Sequence, residues 1–125
     1  MRHRRHYELE EAREALPWVV EQLAAIRVAR DRLTDAEARQ ALADGSAGNG
    51  GGTAGKQVGE AFLELRDRAA ALLERDIVLR DPDRGLIDFP AIRDAEEVYL
   101  CWVEGEPDIA FWHGLDAGFA GRRPL

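Results

Sequence analysis

A chain of 125 residues, 46% apolar and 33% charged, is long enough for one hydrophobic core and too rich in apolar side chains for wholesale disorder. Its formal net charge of −7 is spread along the body and only the leader Met1–His6 is basic, so phosphate backbones are repelled and nucleic acid is not an expected partner unless the leader acts as a short basic arm. No apolar run approaches the roughly 20 residues that span a bilayer, the leader lacks the apolar stretch of a secretory signal, and the single Cys101 excludes an internal disulfide framework.

These features fit a cytoplasmic protein, and the single Lys among many Arg, Ala and Gly fits a GC-rich bacterial genome. Met1–His6 is expected to be a flexible leader, and residues 7–125 a single domain.

Leu9, Ala12 and Leu16 recur at helical spacing among acidic residues, which predicts a short amphipathic helix over Glu8–Ala15. Pro17 disfavours helical geometry at Leu16 and suits the first turn of a second, long helix. Val19, Leu23, Ile26 and Leu33 carry its apolar stripe towards Leu42, interrupted by Arg30. Thr34 to Glu37 has the form of a capping box, which could break or kink that helix, though such tetrads also arise by chance inside helices.

Gly45–Gly55 reads as a flexible glycine linker. It is not a phosphate loop, because Lys56 is followed by Gln57 and neither flank has the pattern of a strand. In Gln57–Asp76 the residues Val58, Phe62, Leu65, Ala69 and Leu72 form a heptad seam, so this second long helix folds back antiparallel on the first.

From Ile77 the period changes. Ile77–Leu79, Leu86–Phe89 (closed by Pro90), Glu97–Val103 and Asp108–His113 read as strands separated by short turns, which implies an antiparallel meander of three to four strands. The predicted fold is therefore α+β: two long antiparallel helices, plus the short N-terminal one, on a small sheet. Centring the last hairpin on Gly105-Glu106 pairs Trp102 with Ile109, Tyr99 with Trp112 and Val98 with His113. That register places Cys101 and His113 on opposite faces, and both faces are apolar. Two helices cover one face; the other needs a second copy of the chain or a fold-back of the C-terminal tail. A twofold homodimer is expected.

Tyr7–Ala12 through Pro17, Gly85–Pro90, Val98–Trp102, Gly105–Pro107, Trp112-His113 and Gly118–Arg122 together resemble an uncharacterised bacterial family, domain of unknown function 2203. The resemblance implies a small bacterial cytoplasmic protein with two long helices and a sheet, and it carries no established activity or catalytic residues.

Candidate site residues lie among these motifs. Asp88, inside an apolar strand, needs a partner such as Arg84, Arg93 or Arg122, or else serves as a ligand carboxylate. His113 and Asp116, three apart, are metal-ligand candidates for iron, manganese or zinc, with a third ligand from Asp88, Glu97 or Glu106. Trp102 and Trp112 could wall an apolar pocket oriented by Glu106, His113 and Arg122. Cys101 reads as a buried, inert thiol. No catalytic motif is present, and no cofactor beyond a divalent metal is implied. The leading reading is a self-associating interaction module with a protein partner; the alternative is a small-molecule or metal-binding domain, possibly a metal-dependent enzyme, around His113.

Overall fold

A computed structural model describes residues 1–44 and 52–125. Helix α1 runs Leu9–Asp44, 36 residues without interruption, with Pro17 inside it. The separate N-terminal helix is therefore not formed. Proline costs a helix interior roughly 3 kcal/mol, but Val19 and Leu23 beyond it are wholly buried in the same core as Ala12 before it. Burying two such side chains returns about 2 kcal/mol each, so one continuous helix is the better solution. Its start is closed by Glu11, whose carboxylate accepts the Glu8 N–H at 3.0 Å. The expected capping box does not break it: Thr34 Oγ1 donates to the Arg30 carbonyl at 3.1 Å, one turn back.

Helix α2, Gly52–Glu74, begins inside the predicted linker, of which residues 45–51 lie outside the described residues. Its antiparallel seat on α1 is fixed by Arg39 donating to Gln57 at 2.7 Å, Arg68 to Gln22 at 3.4 Å, and Arg75 lying 3.6 Å over the Trp18 ring. The seam is rotated from the predicted one. Ala61 and Leu72 are buried, whereas Phe62 is 54% exposed and Ala69 is exposed as well. Ala61 shares a groove with the buried Ala29 and Ala36 of α1, where small side chains let the helices approach and a phenyl ring would hold them apart.

Five antiparallel strands follow in the order β1-β2-β3-β4-β5: Val78–Asp81, Leu86–Arg93, Glu96–Val103, Phe111–Gly114 and Arg123–Pro124. The sheet thus has one strand more than predicted. Strand β2 also runs on through Pro90, because the missing donor lies on the strand's outer side. The Pro90 carbonyl points there too, accepting the Tyr7 N–H at 2.7 Å, so no bond to β3 is lost. Gly85 turns the chain into β2 at φ 68°, and a Cβ there would stand 2.6 Å from the Glu104 Cβ. Asp94 and Ala95, at φ 51° and 65°, form the two-residue hairpin into β3.

The β3–β4 register differs from the predicted one by a single residue: Tyr99 pairs with His113, Leu100 with Trp112 and Cys101 with Phe111. A tight turn at Gly105-Glu106 does not set it. Glu106 instead occupies the end of β3 that β4 leaves open, accepting the Val103 N–H through Oε1 at 2.7 Å and the Trp102 indole N–H through its carbonyl at 3.2 Å. One residue of slip inverts the faces of β4.

The face towards the helices carries Ile87, Phe89, Ala91, Val98, Leu100 and Trp102, which join Val19, Leu23, Ile26 and Leu72 in the core. The opposite face carries Asp88, Pro90, Tyr99, Cys101 and His113, and it is buried too. Its cover comes from both ends of the chain. The leader, expected to be free, is stitched down: the His3 ring lies 2.6 Å from the Tyr99 hydroxyl, the Arg5 N–H donates to Asp76 at 3.0 Å, and Arg2 meets Asp116 at 3.2 Å. The tail brings the short 3-10 turn Phe119–Gly121, with Arg122 stacked 4.0 Å over Phe111 and 4.8 Å over Phe119. Among the described residues no helix is long and apolar enough to cross a membrane.

Candidate metal centre

Three neighbouring strands each deliver one polar side chain to the covered face of the sheet: Asp88 from β2, Cys101 from β3 and His113 from β4. Asp88 and Cys101 are cross-strand partners, and His113 pairs with Tyr99, two residues from Cys101 on the same face. Their ligating atoms lie within 4.8 Å of one another, and all three residues are buried.

The contacts of Asp88 and His113 define the site's chemistry. Asp88 Oδ1 lies 2.9 Å from His113 Nε2, and Oδ2 accepts from Arg80 Nε at 2.9 Å. His113 Nδ1 lies 2.7 Å from the Gly114 carbonyl. A carbonyl only accepts, so Nδ1 carries hydrogen and Nε2 is the nitrogen turned to the cluster and to Asp88. Arg80 stands two residues from Val78, the cross-strand partner of Asp88, so strand alternation puts it on the same face. Burial pushes the Cys101 thiol up to about 12, and the neighbouring Asp88 carboxylate adds to the effect.

A thiol–imidazole nucleophile does not fit. Both ring nitrogens of His113 are engaged elsewhere, and the thiol keeps its proton. The arrangement does meet the needs of a metal ligand set. Asp88 and His113 each present one atom inward while a second contact fixes the other, as ligands oriented by an outer shell do. A carboxylate, an imidazole and a thiolate together suit zinc or cobalt. A pocket of about 360 Å³ opens onto the cluster, walled by Leu86, Leu115 and Phe119.

The sequence-derived candidates divide. Asp88 and His113 come together, and the partner of Asp88 is Arg80 rather than Arg84, Arg93 or Arg122. Asp116 lines the same pocket, but its side chain is 92% exposed, is paired with Arg2 and stands outside the three-residue cluster. One terminal nitrogen of Arg122 donates to both carboxylate oxygens of Glu106, at 2.7 and 2.8 Å, within the chain. Trp102 belongs to the helix-facing core; Trp112 packs against that core with Arg93 at 4.7 Å from its ring. The sequence reading missed Cys101 as a member of the site, because the one-residue error in register had turned it away from His113. It missed Arg80 because the first predicted strand stopped at Leu79, whereas β1 runs to Asp81.

Fold and site together define an α+β domain with a buried Asp–Cys–His cluster beneath a pocket on the sheet. Over residues 5–125 the chain matches the family described as "Uncharacterized conserved protein (DUF2203)", and it belongs to that family. The family has no established activity. No curated protein and no solved structure matches the chain.

Proposed function

We propose that this domain binds a divalent transition metal through Asp88, Cys101 and His113. The observation that carries the reading is the convergence of three different ligating atoms within 4.8 Å, one from each of three adjacent strands, at the floor of a pocket. Three protein ligands leave a coordination position facing the pocket, the pattern of sites that act on a bound molecule rather than only holding a fold together.

The test is metal analysis of untagged protein, stripped with chelator and reloaded with zinc. Near-stoichiometric zinc is expected in the parent, and it falls at least about tenfold in affinity in Cys101→Ser and His113→Ala. A Tyr99→Phe variant, altered on the same face but outside the ligand set, keeps its zinc. Equal zinc retention in all four proteins would overturn the reading.

Self-association stands as a second reading, favoured by Phe62, Leu63 and Leu73, which are 54%, 46% and 74% exposed on α2. The expected twofold dimer then forms through the helices, since the Tyr99–Cys101 face of the sheet is covered by its own chain.

A further inference from the structure

The guanidinium of Arg80 has work left over. Its Nε donates to Asp88, its carbon lies 5.0 Å over the Tyr99 ring, and the group lines the pocket with its side chain 40% exposed. Among the described residues its two terminal nitrogens donate no hydrogen bond. A planar fork held on one edge and one face, with the other edge open, is pre-organised to receive a planar anion.

The charges point the same way. The charged side chains lining the pocket are Arg80, Asp88 and Asp116, and Asp116 is neutralised at the rim by Arg2 at 3.2 Å. With a dication in the cluster, the Asp88 carboxylate and the Cys101 thiolate balance it, and neutral His113 adds nothing. Arg80 is then the uncompensated positive charge, beside an open coordination position. The remaining walls are apolar: Leu86, Leu115 and Phe119. A volume of about 360 Å³ suits a small molecule.

We propose that the pocket takes a small carboxylate with a short apolar stem, its oxygens shared between the metal position and the Arg80 fork. This rests on the metal reading above, and the experiment separates the two. The full chain is loaded with cobalt(II) in place of zinc, and its visible spectrum is followed during titration with butanoate. A thiolate-to-cobalt charge-transfer band in the parent, absent in Cys101→Ser, establishes the metal reading by itself; without that band both proposals fall. Given the band, butanoate is expected to shift the cobalt d–d absorption saturably, while butanol and butylamine leave it unchanged. Arg80 also holds Asp88, so Arg80→Gln is read at the cobalt concentration that restores its full charge-transfer band, and there it binds butanoate about tenfold or more weakly. Arg80→Lys, which keeps the charge but loses the fork, falls between them. No butanoate response in the cobalt-loaded parent, or equal butanoate affinity in Arg80→Gln, overturns the carboxylate proposal and leaves the metal reading standing.

Discussion

The carboxylate of Glu97 accepts the backbone N–H groups of Arg2 and His3 at 2.7 and 3.0 Å and meets the His6 ring at 2.6 Å. Burial by itself would raise its pKa, but these contacts, led by that of His6, outweigh burial and hold the group down at about 2. A depressed carboxylate stabilises the folded state above its ordinary pKa of 4.5, and that contribution is lost as pH falls towards 2. Hydrogen-exchange protection of the Arg2 and His3 amides is therefore expected to fade between those two pH values, and Glu97→Gln to lose most of it already at neutral pH. Amides equally protected at pH 6 and pH 2.5 would show that Glu97 does not hold the leader. At the same scale, Cys101 shows how neighbours decide reactivity. Away from water and beside a carboxylate its thiol is held up at about 12, so it is a poor free nucleophile.

The hairpin between β2 and β3 places both central residues in left-handed backbone, and one of them, Ala95 at φ 65°, bears a Cβ that this conformation penalises. Ala95→Gly is expected to stabilise the domain by about 1 kcal/mol, read as a higher urea midpoint at unchanged slope. An unchanged or lower midpoint would mean that the entropy glycine adds to the unfolded chain cancels the relief. The sequence showed where these elements lie better than how they face one another. The helices declare themselves because apolar residues repeat every three to four positions for several turns. The strand segments do so through β-branched runs bounded by turn residues. Pro17 misled because a local preference worth a few kcal/mol was weighed without the core on either side of it. The α2 seam was misplaced by one position at Phe62 because Ala61 carries little hydrophobic signal, although its small size is what the helix contact uses. The register of β4 was hidden because Glu106, four residues beyond Trp102, takes over the ladder by side chain and carbonyl. Composition does not report that substitution. The candidate site failed with it: its three residue types were visible, but their convergence depended on one residue of register.

On the scale of the whole molecule, a two-helix layer and a five-strand layer share one core, and apolar surface remains on the outer side of α2. If that surface carries self-association, light scattering at tens of micromolar gives the mass of two chains, and Phe62→Glu with Leu73→Glu returns it to one. A parent with the mass of one chain throughout removes the dimer. The clamp that joins Arg2 to Asp116 has a further consequence for how the molecule is made. A ribosome delivers the helical hairpin first, then Asp88, then Cys101, and His113 and the tail last. The leader emerges before its acidic partners, which lie at Asp76, Glu97 and Asp116. Until β3 is made the leader lacks Glu97 and Tyr99, and its contact with Asp116 follows only after β4. On the proposed metal reading, an ion is captured only once β4 has joined β2 and β3.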